Sequence, residues 1–334
     1  MAKRTTAAAI DPKRPLAGKV AVVAGATRGA GRGIARGLGE AGAFVICTGR
    51  SVRGQPSPYN RPETVDETAE MITAAGGQAI AVRVDHTVED EVQALFERVS
   101  RDHKRLDVLV NSIAGEDPLL GGWTTFWKTD LTHADLALRQ ALLSHVITAK
   151  YAAPLLIEQR RGLIVEVTEF DLLFSGGNVL GQLVKFSLKG LAMIMAEELR
   201  KHRIAAIAIT PGFLRSESML QHFGVTEETW RNGGKKDPNF LESETPLFLG
   251  RAVAALAADP KVMEMTGSLT SSWEMSRKYG FSDADGRRPD WGRHWVKILP
   301  SMGFMKKGHE RHRAWLEQLS TRVNEYLDAA SVSR

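Results

Sequence analysis

The chain has 334 residues, of which 43% are hydrophobic and 25% charged, and its formal net charge at pH 7 is +5. These proportions support a full hydrophobic core, and no apolar run approaches a membrane span, so we expect no membrane association. Basic residues gather at both ends and form no stripe with interleaved aromatics, which argues against a nucleic-acid partner. The single cysteine, Cys47, excludes an intramolecular disulfide and indicates a reducing, cytoplasmic location.

The first element in the chain is a strand that runs into a glycine turn and a helix. Residues 1–17 are expected to be a loose basic leader, and the apolar residues 19–24 then predict a buried strand. Gly25, Gly29 and Gly31 follow, and a helical apolar period begins there. Such a turn lets the backbone approach a pyrophosphate, and the helix N-terminus favours its charge. The unit therefore predicts an anion site for a dinucleotide.

Strands and helices alternate along the rest of the chain. Further strands are predicted at residues 44–48, 79–84, 106–110, 162–168, 204–210 and 267–272. Helices are predicted at residues 31–41, 64–75, 88–102, 132–159, 180–202 and 246–258. This order predicts an α/β fold, a Rossmann-type doubly wound parallel sheet of about seven strands with helices on both faces.

The predicted domain organisation has one large unit and an extension. Residues 18–276 form the dinucleotide-binding domain, and residues 213–244, which are polar and aromatic, are expected to form a mobile lid over a substrate. A Pro-, Gly-, Ser- and Arg-rich excursion at residues 52–62 is expected beside the cofactor site. Residues 277–334 form a C-terminal extension that ends in a helix at residues 307–329. One face of that helix carries Trp315, Leu316, Leu319, Val323 and Leu327.

Three motifs fall at the C-terminal ends of successive predicted strands. They are Ala24-Gly-Ala-Thr-Arg-Gly-Ala-Gly31, Leu109-Val-Asn-Ser-Ile-Ala-Gly115, and Pro211-Gly212 followed by Ser216. In this order they resemble the glycine turn, the Asn-Asn-Ala-Gly motif (here with one extra residue) and the Pro-Gly turn of the short-chain dehydrogenase/reductase family. The resemblance covers roughly residues 16–275. It implies a nicotinamide dinucleotide bound at this edge of the sheet.

The end of the second strand indicates which dinucleotide is bound. An acid there would bond the ribose 2′-hydroxyl and repel a 2′-phosphate, but the strand closes with Gly49-Arg50-Ser51, and Arg28 lies inside the glycine turn. Two guanidiniums and a hydroxyl favour the 2′-phosphate of NADP, although each arginine alone would also fit a solvated surface position. By resemblance Asp85 takes the adenine edge. The residues expected to bind NADP are Gly25, Thr27, Arg28, Gly29, Gly31, Arg50, Ser51, Asp85, His86, Asn111, Ser112, Lys185, Pro211, Gly212 and Ser216.

The catalytic half departs from the family pattern. The family uses a Tyr-x-x-x-Lys pair, a serine at the end of the preceding strand and an asparagine on the long helix before it. Lys185 takes the lysine place, but the tyrosine place holds Gly181, the serine place Glu169 and the asparagine place Ala141. Of the four residues only the lysine is retained, and the sequence leaves open whether Gly181 is natural or engineered.

The catalytic candidates are therefore Lys185, Glu169 and Thr168. The resemblance implies that Lys185 holds the nicotinamide ribose. Glu169 would donate a proton if burial keeps it neutral, or orient a substrate amine or water if the ammonium keeps it ionised. Purely structural pairing with Lys185 is a third alternative. Asp171 and His145 are secondary candidates, and a packed helix histidine is the simpler interpretation of His145.

No tyrosine stands near the vacant place in the sequence. None lies between Tyr151 and Tyr279. Tyr151 is expected to pack in a helix–helix contact. Tyr59 and Tyr279 would reach the site only by folding over it.

Three functions remain open on this basis. The first is an NADP-dependent reductase without a tyrosine donor, acting on an imine or an activated double bond of an apolar organic substrate. The second is a catalytically weak cofactor-binding protein, and the third an isomerase or lyase on the same fold. Surplus apolar residues on the long helix and on the helix that carries Lys185 predict a homodimer or homotetramer. We expect no metal. Aromatic residues of the lid and tail would either enclose a substrate or only pack on the domain; they are Trp230, Phe240, Trp273, Trp291 and Trp295.

Overall fold

Seven parallel strands in the order β3-β2-β1-β4-β5-β6-β7 form the central sheet of the computed structural model. The strands are β1 Val20–Ala24, β2 Phe44–Gly49, β3 Gln78–Arg83, β4 Val108–Asn111, β5 Gly162–Val167, β6 Ile204–Thr210 and β7 Leu269–Ser271. The structure describes residues 13–55, 59–120, 122, 124–170 and 178–301, and scattered positions between 307 and 325. The predicted doubly wound sheet is confirmed.

Helices connect successive strands of the sheet. They are α1 Gly29–Glu40, α2 Val65–Ala74, α3 Glu89–His103, α4 Ala134–Leu138, α5 Ser144–Gln159, α6 Val179–Leu199, α7 Glu217–Phe223, α8 Pro246–Ala258, α9 Ser272–Tyr279 and α10 Trp291–Ile298. A turn of π-helix, Arg139–Leu143, joins α4 to α5, so the long helix predicted there is continuous. A π-turn inside a helix is often found at a functional site, and this one includes Ala141.

Alternate residues of β1 face two separate hydrophobic cores. Val23 lies in the core that includes Leu249 of α8, whereas Val22 lies in the core that includes Leu95 of α3. All five residues of β1 are buried because helices cover both faces of the sheet. Cys47 of β2 is also buried, and burial raises the pKa of its thiol to about 12, as fits a core residue.

Helix α6 differs from one expectation. The segment Val179–His202 is long and apolar enough to cross a membrane, although the sequence was expected to contain no such run. In the fold, α6 packs against β5 and β6, with Val184 and Leu188 buried. Packing on the sheet therefore explains one part of its apolar character, while Leu183, Phe186, Met193 and Ile194 are exposed.

The C-terminal extension packs on the domain through α10. Beyond it, the described positions between 307 and 325 are helical, as predicted. Leu316 and Val323 of the predicted apolar face are exposed. The other three members of that face, Trp315, Leu319 and Leu327, lie outside the described residues or have undescribed side chains.

Candidate active site

The glycine turn joins β1 to α1 at the C-terminal edge of the sheet. Gly25 and Gly29 have φ of +84° and +53°, a region that favours glycine. A Cβ on Gly25 would lie 2.3 Å from the carbonyl oxygen of Ser112, and one on Gly31 would lie 2.0 Å from that of Gly25. The turn is thus packed tightly against the loop that follows β4, and the first turn of α1 is left to face an anion.

A cleft of about 480 Å³ opens above this turn. Eleven of the fifteen residues predicted to bind the cofactor line it: Gly25, Thr27, Arg28, Gly29, Gly31, Arg50, Ser51, Asp85, His86, Ser112 and Ser216. The other four, Asn111, Lys185, Pro211 and Gly212, are not among its lining residues.

Both arginines expected at the 2′-phosphate face the cleft and are paired with acids. Arg28 lies 3.4 Å from Glu63, and Arg50 lies 4.0 Å from Asp85. Burial alone would raise the pKa of Asp85, but hydrogen bonds from Thr87 and the charge of Arg50 hold it below its ordinary value. The end of the cleft nearest β2 thus holds two cations.

A carboxylate from the lid (residues 213–244) occupies the anion position of the glycine turn. The backbone N–H of Gly29 donates to Oε2 of Glu217 over 2.7 Å, and Oε1 of Glu217 lies 3.3 Å from Arg32. A backbone donor at the start of α1 is the kind of group that binds phosphate oxygens. Glu217 therefore takes an interaction that a pyrophosphate would make.

His86 lines the cleft, but its ring contacts side chains of the fold on both of its nitrogens. Its ring is buried, 2.7 Å from the hydroxyl of Thr48 and 2.9 Å from that of Thr148. Burial lowers the pKa of His86 to about 3, so the ring is neutral. It tethers β2 to α5 beneath the site.

A second buried network supports the loop after β4. His145 contacts Glu166 through Nδ1 over 2.6 Å and the carbonyl oxygen of Ile113 through Nε2 over 2.9 Å. Asn111 donates to the other oxygen of Glu166 over 2.8 Å. The side chains of all three polar residues are buried. His145 and Asn111, predicted as catalytic and cofactor-binding candidates, thus hold Glu166 and the loop in place.

Lys185 of α6 lies between two carboxylates. Its Nζ is 2.7 Å from Oε1 of Glu116 and 3.2 Å from Oε1 of Glu169. Burial alone would raise the pKa of Glu116, but the Lys185 ammonium outweighs it and holds the pKa below its usual range. Glu116 directly follows Gly115, the last residue of the motif after β4, and is not among the residues predicted for the site from the sequence.

The other two catalytic candidates have different surroundings. The hydroxyl of Thr168 is buried and donates to the backbone oxygen of Lys185 over 2.9 Å, so it anchors α6 to β5. The side chain of Glu169 is 52% exposed. Asp171 lies outside the described residues.

A family model described as short chain dehydrogenase matches residues 19–224. The chain belongs to this family. It is 36% identical over 278 residues to dehydrogenase/reductase SDR family member 1 of Mus musculus, covering 82% of this chain and 85% of that protein. The Homo sapiens protein of the same name is 35% identical over 278 residues. A crystal structure of a metagenomic short-chain oxidoreductase in complex with NADP has 27% identity and a TM-score of 0.56, over 73% of this chain and 93% of that one.

Membership makes the protein a Rossmann-fold oxidoreductase of the short-chain dehydrogenase/reductase type. Gly181, which the sequence predicts to occupy the tyrosine place, lies one helical turn before Lys185 on α6. A Cβ at Gly181 would lie 3.1 Å from Cδ1 of Leu120. The asparagine place, Ala141, is buried.

One tyrosine that the sequence analysis set aside reaches the cleft. Tyr59, in the excursion after β2, donates to the carbonyl oxygen of Gly115 over 2.6 Å and accepts from Gln140 over 3.3 Å. It lines the cleft, as does Arg61. Because Tyr59 folds over the site from a segment distant in sequence, no local spacing identifies it. Tyr151 and Tyr279 instead donate to Glu89 and Asp259.

The Pro211-Gly212 turn contacts Glu244, at the end of the segment 213–244, and Trp291 of the C-terminal extension. The N–H of Gly212 donates to Oε2 of Glu244 over 3.0 Å, and a Cβ there would lie 2.7 Å from that of Trp291 in α10. Full burial raises the pKa of Glu244 to about 8, against hydrogen bonds from Ser272 and Gly212 that lower it. Glu244 is thus a neutral acid below this pH.

The predicted aromatic enclosure is only partly present. Trp230, Phe240 and Trp273 are buried packing residues. Trp295 of α10 lies 5.8 Å from the ring of Phe170, the residue after Glu169. The C-terminal extension therefore places the ring of Trp295 close to the end of β5.

Proposed function

We propose that the protein is an NADP(H)-dependent oxidoreductase without a tyrosine donor that reduces an imine or an activated double bond of an apolar organic substrate. The observation that carries this proposal is Lys185, held between Glu116 and Glu169, with no side chain at Gly181. A ketone becomes an alkoxide when it accepts a hydride and needs an acid at once. An imine that is already protonated does not.

The cleft fits the cofactor. Gly25, Gly29 and Gly31 line the cleft and form the tight turn that leaves the start of α1 facing it, and Arg28 with Arg50 supplies charge for a 2′-phosphate where no acid closes β2. NADPH, when bound, supplies the hydride. Lys185 would hold the nicotinamide ribose, as the family implies, while Glu116 fixes the position of its ammonium group.

The proposal includes a homodimer or homotetramer and a cytoplasmic location, with a small molecule as the substrate and neither nucleic acid nor membrane as a partner. Several apolar side chains on the two helices named for the interface are exposed: Leu136, Leu143, Val146, Leu183, Phe186, Met193 and Ile194. An apolar patch of this kind supports a contact between copies of the chain. Light scattering that gives a monomer at micromolar concentration would refute the oligomer.

Cofactor titration tests the proposal. We expect NADPH to bind more tightly than NADH, and the loss of both Arg28 and Arg50 to cost NADPH about 3 kcal/mol, because two charge-assisted contacts disappear. Arg53→Ala is the matched control, since Arg53 follows Arg50 by three residues, pairs with Glu70 and does not line the cleft. Equal affinities of wild type for the two cofactors would refute the assignment to NADP.

The two alternatives predict other outcomes. A cofactor-binding protein of little activity would bind NADPH and oxidise none of it with any imine or enone. An isomerase or lyase would convert substrate with no net oxidation of NADPH. Either result would replace the proposed reduction.

A further inference from the structure

The groups around Lys185 carry more negative charge than the residues that the family pattern has at the same places. Glu116 and Glu169 both contact its ammonium, so the three groups together carry one net negative charge. In the family pattern the place of Glu169 is a neutral serine, so this substitution alone adds a negative charge beside the lysine.

One oxygen of this cluster lacks a hydrogen-bond donor. Oε2 of Glu116 is buried and has no hydrogen-bond partner among the described residues, although Oε1 of the same group is bound to Lys185. Glu116 as a whole is 1% exposed. A buried carboxylate oxygen without a donor is costly, so a further positive charge that binds close to the cluster would be stabilised.

The cluster can be reached by a ligand from the side of Glu169. The side chain of Glu169 is 52% exposed and that of Lys185 is 15% exposed. Phe170 follows Glu169 directly, and its ring meets Trp295 edge-on. Aromatic faces attract cations as carboxylates do, so the elements next to the cluster also favour a positive ligand with an apolar body.

We propose that the Glu116–Lys185–Glu169 cluster is a cation-selective substrate subsite, which binds a protonated amine or iminium nitrogen and discriminates against anionic substrates. The inference rests on the proposed function, whose substrate class it narrows to nitrogen cations with an apolar body. Both carboxylates act through their charge. Glu169 faces the ligand, and Glu116 neutralises the positive charge of Lys185, so that the ammonium group does not repel a cationic ligand.

The negative charge of the cluster agrees with the absence of a tyrosine at position 181. Hydride addition to a protonated C=N bond forms one C–H bond, and the π-electron pair becomes the nitrogen lone pair. The C=N carbon is reduced and NADPH is oxidised, and no proton is transferred in that step. A site that holds the nitrogen as a cation therefore does not need the acid that Gly181 lacks.

Equilibrium binding to the NADPH-loaded protein tests the subsite. The probes are benzylamine, benzyl alcohol and benzoate, which share one ring and differ in charge, measured by calorimetry at pH 7. We expect benzylamine to bind about tenfold more tightly than benzyl alcohol and benzoate most weakly. In Glu169→Gln the preference for benzylamine should fall about fivefold. Glu197→Gln is the control, because Glu197 is an exposed acid of α6 paired with Arg200.

The outcomes separate this proposal from the proposed function. Equal binding of benzylamine and benzyl alcohol to wild type, or an unchanged preference in Glu169→Gln, would overturn the cation subsite even if NADPH binds and imines are reduced. Failure of wild type to bind NADPH, measured first by titration without any probe, would overturn the proposed function instead. A lower preference in Glu197→Gln as well would assign the effect to the overall charge of the protein and also overturn the subsite.

Discussion

The cofactor side and the catalytic side of the site both lie at the C-terminal edge of the sheet, but different kinds of group form them. On the β1–β2 side, backbone groups and glycines form the cleft, and its polar side chains match those of a dinucleotide-binding fold. On the β4–β5 side, the working groups are single side chains, and the register predicted from the sequence puts Gly181, Glu169 and Ala141 where the family has tyrosine, serine and asparagine. Backbone sites tolerate little change, because a Cβ at Gly25 or Gly31 would collide with the chain. A catalytic side chain can be replaced without a change of the backbone, so the catalytic residues can diverge while cofactor binding is kept.

We expect the replacement of Lys185, the lysine retained from the family pattern, to have the largest effect, a loss of stability. Lys185→Met leaves Glu116 buried without its cation, and we expect the free energy of unfolding to fall by about 3 to 5 kcal/mol in urea titration. The double variant Lys185→Met/Glu116→Gln should recover much of that loss, since no charge is then buried alone. Lys201→Met, at the exposed end of the same helical segment, serves as the control. Equal loss in the single and double variants would contradict the importance of this ion pair.

Restoration of the missing phenol should convert the catalytic half towards the family's usual chemistry. Gly181→Tyr combined with Leu120→Ala, which removes the side chain 3.1 Å from the new Cβ, places a phenol one turn from Lys185. We expect NADPH oxidation with aryl ketones to rise about a hundredfold above wild type, as a correctly placed acid provides. Leu120→Ala alone is the control and should show no gain. No gain in the double variant would mean that Glu116 and Glu169 prevent the phenol from acting.

A pH titration tests the acid below the nicotinamide turn. The pKa of Glu244 is about 8 in the fold against an ordinary value of 4.5, so between these values the folded state binds more protons than the unfolded state. Stability should therefore fall as pH rises through this window, by about 1.4 kcal/mol per pH unit, and level off above it. Glu244→Gln should remove this slope in thermal unfolding between pH 6 and 8. The exposed Glu242→Gln should keep it, and an unchanged slope in Glu244→Gln would contradict the assignment.

The smallest effect is expected at the cofactor cleft itself. Glu217→Gln removes the negative charge that accepts from Gly29, so NADPH should bind about fivefold more tightly, equivalent to about 1 kcal/mol. Glu228→Gln changes an exposed acid of the same lid and should leave the affinity unchanged. If Glu217→Gln weakened NADPH binding, the carboxylate would be needed to position the lid rather than to compete with the pyrophosphate.

Sequence periodicity was sufficient for the framework of the fold. Strand β6 and helix α8 have the predicted bounds, because long buried runs and a proline at the start of α8 mark their ends locally. Glu116 was missed, and Tyr59 was named only as a residue that would have to fold over the site. What matters at both is a partner distant in the chain: Lys185 for Glu116 and Gly115 for Tyr59. His86 was assigned to the cofactor because it follows a strand, although two threonine contacts make it structural. Local patterns predict elements, and tertiary pairing decides the roles of single polar residues.

The most direct test of the central claim is the rate at which wild type oxidises NADPH with a permanently cationic N-methyl iminium and with the ketone of the same ring skeleton. The iminium carries its charge without a proton, so its reduction needs no acid and suits the Glu116–Lys185–Glu169 cluster. After subtraction of the rate without protein, we predict that the iminium reacts about a hundredfold faster than the ketone, the factor that a positioned acid would otherwise supply. Equal rates, or a faster ketone, would show that an acid reaches the site and would contradict the account.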